Sequence, residues 1–371
     1  MKSTTTRHYI FSNRNYAWQF EKEVFLDDWD TQEVYNTRFA FFNCADNSVE
    51  IIPELKNEDE ISKNKTQVQY SRLGSIEKLK GSQRFFAELY QDIKTEYESG
   101  NTTQNQTLIF LFGFWVSQAK AIDFLKQMHE KYITDPNSPF KRIIMYNWPS
   151  QTGKILPEKI GMVNWNQTLE RTKACGNILS NFYEKLWRFG EQYVKKEDAD
   201  FYKNVYQKNF SIMTQSMGNQ VFGYFVKKIT RYKKAKLPKF QQAFMMAPDL
   251  DNDVFEPECI LENVDRIAEK VFVFYRMDDS ALSLSRFLFA MKDRLGTTGL
   301  HKKKMKVGII IPVNANNLHD LKLKEKGDDH RYFITSNSQI PSSIKQFAMV
   351  NDLNAFAGLT YNNSKAELEI T

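Results

Sequence analysis

The chain has 371 residues, of which 42% are hydrophobic and 14% aromatic, with 29 Phe and 17 Tyr but only 15 Gly. Such a composition fills a sizeable core and excludes a disordered or fibrous chain, and the length suits one large α/β unit. The net charge of +6 is mildly basic, and Cys44, Cys175 and Cys259 supply no CxxC pair, zinc spacing or even disulfide framework.

Those cysteines fit a reducing compartment. The N-terminus lacks the apolar core of a signal peptide, and no run approaches the ~18 apolar residues of a membrane span. A soluble, cytoplasmic protein without metal or cofactor is therefore expected. The basic excess sits in two runs: Lys227, Lys228, Arg231, Lys233, Lys234, Lys236 and Lys239, then Lys302, Lys303, Lys304 and Lys306. They read first as solvated helix ends and loops. Their functional alternative is peripheral contact with phospholipid head groups. No aromatic-interleaved basic groove or recognition helix is present, so a nucleic-acid partner is not expected.

In chain order, residues 8 to 75 hold short β segments: His8–Phe11, Val24–Leu26, Thr37–Phe42 and Val49–Ile52. The charged stretch from Lys56 to Lys65 reads as a flexible loop. A helix is expected from Ser82 to Glu98, with Phe85, Phe86, Leu89 and Ile93 on one face. Residues 1–100 thus form a β-rich extension with a helix, packed on or added to the sheet of a core over 101–371.

From Leu108 the pattern alternates. Strands are expected at 108–112, 142–148, 210–213, 242–246, 271–275 and 307–312. Helices fall at 117–132 (with Ser117 as N-cap), 166–193, 217–230 and 281–294. Apolar, β-rich runs separated by helices imply a buried parallel sheet with right-handed crossovers.

Ligands of such a sheet gather at the carboxyl ends of its strands. Ser216 lies at one such end, in Thr214-Gln215-Ser216-Met217-Gly218-Asn219, between a strand and a helix. Gly-x-Ser-x-Gly is the pattern of a sharp turn that exposes a nucleophilic serine; here Gly218 is kept and Thr214 stands at the first glycine. Alone, Ser216 would serve equally well as a helix N-cap. An activated serine needs a base, and the base an orienting carboxylate. Asp279 follows the strand 271–275, with Asp278 beside it, and Asp249, Asp251 and Asp253 follow the preceding strand. Three histidines lie downstream of Ser216. His301 falls at the wrong end of the last strand, whereas His319 and His330 follow it, and Gly327–Phe333 looks like a turn that presents His330. The order Ser216, Asp279, His330 follows. Oxyanion donors would be the Met217 and Phe114 amides, and Phe112, Trp115 and Gln215 are pocket candidates.

With these motifs the chain resembles the poorly characterised bacterial α/β-hydrolase family whose elbow reads His-Ser-Met-Gly-Asn. The resemblance spans about residues 106 to 350. It includes Trp148-Pro149-Ser150, Ala247-Pro248-Asp249, Asp278-Asp279-Ser280 and His330-Arg331-Tyr332-Phe333. It implies an α/β-hydrolase fold with Ser216 as nucleophile, Asp279 as acid and His330 as base. Two positions depart from the family: Phe112 replaces the His before Gly113, and Gln215 replaces the His before Ser216. The expected function is a serine hydrolase acting on an ester or lipid. The second reading is an inactive α/β-hydrolase-like binding or scaffold protein with a protein partner.

Overall fold

A strand covered on both faces needs apolar residues at successive positions, and the central strands meet that need. In chain order the strands are β1 (Arg7–Ser12), β2 (Arg14–Gln19), β3 (Lys22–Trp29), β4 (Arg38–Asn43), β5 (Ser48–Ile51), β6 (Gln106–Leu111) and β7 (Phe140–Asn147). They continue with β8 (Phe210–Gln215), β9 (Phe240–Met246), β10 (Ala268–Tyr275), β11 (Ile310–Asn314), β12 (Leu359–Asn362) and β13 (Glu367–Ile370). The computed structural model describes residues 7–19, 22–29, 37–54, 74–101, 104–150, 160–232, 237–287, 292–301, 308–321, 328–349, 359–362 and 367–370.

One 11-stranded sheet has the order β12-β13-β11-β10-β9-β8-β6-β7-β1-β4-β5. Every neighbouring pair from β13 to β1 is parallel. β12 at one edge, and β4 and β5 at the other, run antiparallel to their neighbours. The N-terminal segment is thus added to the sheet edge, while β2 and β3 pair as a separate ribbon. All six residues of β8 are buried, and β6 is buried from its second residue onward.

The longer helices are α1 (Gly81–Glu98), α2 (Gln118–Tyr132), α3 (Ile160–Phe189), α4 (Gly218–Tyr232) and α6 (Gln339–Met349), with the short α5 (Ser280–Ser285) before α6. The Ser117 hydroxyl caps α2 by accepting from Lys120 N. Aromatic rings fill the space between sheet and helices. Phe11 of β1 stacks on Tyr146 of β7 at 4.4 Å and on Phe182 of α3 at 3.9 Å. Phe272 of β10 stacks on Phe347 of α6 at 4.1 Å. α3 and α4 approach so closely that a Cβ at Gly176 would lie 2.6 Å from Tyr224 Cβ.

The expected alternation is present, with several corrections. The helix expected to Arg294 ends as an α-helix at Ser285, and Arg294 instead forms a bridge with Asp251. β11 begins at Ile310 and runs past Pro312 to Asn314. β2, β12 and β13 were not legible in the sequence pattern. The stretch Lys56 to Lys65, and Lys233, Lys234, Lys236, Lys302, Lys303, Lys304 and Lys306, lie outside the described residues. Among the described residues no helix is long and apolar enough to cross a membrane.

Candidate active site

β8 ends at Gln215 and α4 starts at Gly218, so two residues reverse the chain. Ser216 takes φ 53°, a left-handed conformation that costs an L-residue on the order of 1 kcal/mol and requires support from its surroundings. That support is visible. Ser216 N donates to Met246 O at 3.0 Å, and Ser216 O accepts from Asn219 N (3.0 Å), Asn219 Nδ2 (2.9 Å) and Asp249 N (3.3 Å). Two glycines make room. A Cβ at Gly218 would sit 2.6 Å from Phe112 O, and one at Gly113 would sit 2.5 Å from Ser216 Cβ. Thr214 fits where the pattern has glycine because its hydroxyl donates to Asn219 Oδ1 at 2.6 Å. Both side chains are buried, so this bond satisfies polar atoms that water cannot reach.

The loop after β6 is tied down from three directions. Gly113 N donates to Gln215 Oε1 at 2.8 Å, Trp148 Nε1 to Phe112 O at 2.8 Å, and Val116 N to Ser150 Oγ at 3.0 Å. Arg14 is fully buried beneath it and donates to Val116 O (2.7 Å), Asn147 Oδ1 (2.8 Å) and Asp27 O (2.9 Å). Burial pushes its guanidinium down to about 10, against the opposing pull of Asp27. Trp115 takes φ 61° at the loop tip, where its half-buried ring lies 5.5 Å from that of Phe114.

Two pocket candidates need correction. Phe112 does not line the mouth: its side chain is fully buried and stacks on Trp148 at 6.1 Å. Gln215 turns inward, and its side chain braces the Gly113 amide. Met217 N stands at the start of α4 and meets no acceptor among the described residues. Phe114, the other expected donor, lies one residue past Gly113 on the braced loop.

Asp279 is 0% exposed and caps α5, its Oδ1 accepting from Leu282 N at 2.9 Å. Its other oxygen, Oδ2, lies 2.7 Å from His330 Nδ1. His330 sits in a short turn of helix, Asp328–Arg331, which Asp329 pins to α5 by accepting from Ser280 N at 2.8 Å. Burial opposes the imidazolium, but Asp279, through its charge and hydrogen bond, together with the charges of Asp249 and Asp329, outweighs that cost. The His330 pKa is raised as a result.

Asp249 links the two halves. Its backbone contacts Ser216 O, its Oδ1 accepts from Ser285 Oγ at 2.9 Å, and Arg294 Nε lies 3.2 Å away. Burial raises its pKa, against the opposing effects of Arg294, Ser285 and His330. Its carboxylate is therefore engaged with Arg294 and Ser285, while that of Asp279 faces the imidazole. β8 and β10 are separated only by β9, so their carboxyl ends stand two strand spacings apart, ~10 Å. An imidazole bonded at both edges spans roughly that gap. Ser216 Oγ forms no hydrogen bond among the described residues, so the imidazole–serine contact is not closed here.

Sequence reasoning missed Arg14, Asn147 and Tyr332. Tyr332 is buried, its hydroxyl accepting from Ala247 N (2.9 Å) and donating to Phe274 O (3.0 Å), which holds Ala247 at φ 41°. The two other histidines downstream of Ser216 lie elsewhere: His301 pairs with Glu256 at 2.9 Å, and His319 is exposed. A groove of about 1100 Å³ opens at the amino ends of β8, β9 and β10, away from Ser216. A smaller cavity of about 580 Å³ flanks α5, between Met277, Arg286, Phe287 and Thr298.

A family model described as an alpha/beta hydrolase of unknown function (DUF900) matches residues 88–344. No curated protein matches the chain.

Proposed function

The chain belongs to this alpha/beta hydrolase family of unknown function, and on that premise we propose that it is a serine hydrolase acting on esters with apolar acyl groups. The observation that carries the reading is the 2.7 Å contact between His330 Nδ1 and buried Asp279, on the same sheet end as the left-handed Ser216. A proton shared between Nδ1 and Asp279 leaves the Nε2 lone pair as the base. Ser216 Oγ attacks the acyl carbonyl while its proton passes to Nε2. The Met217 and Phe114 amides receive the oxyanion. His330 then gives the proton to the leaving alcohol, and water reverses the sequence to release the acid.

Apolar surface beside the acid favours an apolar acyl group: Met277 is 68% and Phe287 82% exposed, with Leu284 between them also exposed. Lys227 and Lys228 stand roughly 15 Å along α4 from its start, too far to hold a substrate head group at Ser216. A phospholipid head group therefore draws no support from that run. The second reading, a binding protein that has lost catalysis, draws on the unbonded Ser216 Oγ; catalytic bonds in empty sites are, however, often long.

A fluorophosphonate probe separates the two readings. Wild type is expected to label at one site, and Ser216→Ala not at all. Equal labelling of both proteins, or labelling of neither, contradicts the hydrolase.

A further inference from the structure

At the opposite end of the sheet, three side chains from distant parts of the chain converge. His8 lies near the start of β1, Cys44 just beyond the end of β4, and His129 in the last turn of α2. We propose that His8 Nε2, His129 Nδ1 and Cys44 Sγ bind a zinc-class divalent cation, which clamps the N-terminal strands to α2.

The donor set suits a borderline-soft ion, since imidazole and thiolate are the ligands such ions select over oxygen. All three donor atoms lie within 4.8 Å of one another. His8 Nε2 and His129 Nδ1 are 2.9 Å apart, and His129 Nδ1 and Cys44 Sγ are 3.7 Å apart. Tetrahedral zinc with ordinary bond lengths separates two nitrogens by roughly 3.3 Å and a nitrogen from a sulfur by roughly 3.6 Å. Of these two pairs the nitrogen pair must open by a few tenths of an ångström, while His8 Nε2 and Cys44 Sγ lie within 4.8 Å of each other. His8 is fully buried, whereas Cys44 and His129 are half-buried, so an ion arriving from solvent would reach them first.

Without the ion, the same atoms form a hydrogen-bonded pair. With its proton on Nε2, His8 donates to His129 Nδ1 and accepts from Ile143 N at 3.3 Å, a long bond. With its proton on Nδ1, the ring presents a donor to the Ile143 amide, so coordination through Nε2 requires a ring shift that separates these two N–H groups. Nε2 is then free to coordinate, its proton having moved to the other ring nitrogen. The exchange balances. Zinc enters, the Cys44 thiol releases its proton to solvent, the His8 proton moves from Nε2 to Nδ1, and water takes the fourth position. The site stands apart from Ser216 and does not depend on the hydrolase reading.

Tag-free full-length protein stripped of metal and titrated with zinc tests the proposal, with Co²⁺ as the spectroscopic probe. Wild type is expected to bind one equivalent and to melt at a higher temperature with zinc. Its Co²⁺ form is expected to show a thiolate charge-transfer band and tetrahedral absorption. Cys44→Ser, Cys44→Ala and His129→Gln lie at half-buried positions and are expected to keep the wild-type circular dichroism. Each is expected to lose that band and to bind at least ~10-fold more weakly. Absence of zinc binding by wild type, a Co²⁺ spectrum without the thiolate band, or wild-type affinity in the Cys44 variants would overturn the site.

Discussion

The serine half and the histidine half of the candidate site are held by different physics. Ser216 is fixed by backbone: its N–H and carbonyl share contacts with Met246, Asn219 and Asp249, and Thr214 locks Asn219 in turn. His330 is fixed by charge: one bond to Asp279, reinforced by Asp249 and Asp329. A left-handed serine needs rigid support that is indifferent to pH. A base instead needs a tunable proton affinity, which buried carboxylates supply. Changes to the residues that support Ser216 should therefore appear mainly as stability, and changes on the histidine side as rate and pH dependence.

The largest effect should come from Asp279→Asn. The imidazole loses the acceptor that holds its tautomer, and kcat on a chromogenic ester should fall on the order of 10³–10⁴-fold, with KM changing little. A fall below tenfold would mean that Asp279 does not orient the base. Because Asp279 also caps α5, a melting curve should accompany the kinetics.

Next comes Thr214→Val, which keeps the shape and removes the donor to Asn219 Oδ1. Leaving that buried oxygen unpaired should cost about 1–3 kcal/mol in denaturant unfolding. The pH–rate profile should keep its position. A displaced profile with unchanged stability would reverse the assignment of roles.

The smallest effect is a displacement of pH dependence. A base works when neutral, and the His330 pKa lies above the ordinary 6.5, so the acid limb of kcat/KM should fall above pH 6.5. The linked stability has the opposite sense. The raised pKa stabilises the folded state fully below about pH 6.5, and that stability is lost as pH rises through the folded value. An acid limb below pH 6.5 would place the titrating base elsewhere.

The same contrast decides what the sequence could reveal. The elbow was legible because strand, serine, glycine and helix are contiguous, and local pattern is what a sequence displays most directly. Asp279 and His330 were reachable through chain order, since each follows a strand of the parallel sheet. Arg14, Asn147 and Tyr332 were not, because their roles arise only when β2 meets β7 and the loop after β6, and when the segment after β11 meets the ends of β9 and β10. A buried arginine in a polar N-terminal stretch reads as surface until Val116 O and Asn147 Oδ1 are placed beside it. Phe112 was misread for a related reason: an aromatic residue just past a strand suits a pocket mouth or a core equally well, and Trp148 decides between them. Thr214 and Gln215 looked like departures from a pattern. In the folded chain each satisfies a polar atom of the elbow or its facing loop.

The most direct test of the central claim is a double-mutant cycle on Ser216→Ala and His330→Ala, with hydrolysis of one activated ester measured for wild type, both single variants and the double variant. If the two residues act as one unit, each single change removes nearly all catalysis, and the double variant is no slower than the slower single variant. Losses that multiply, or a His330→Ala protein as fast as wild type, would contradict a shared proton path between Ser216 and His330.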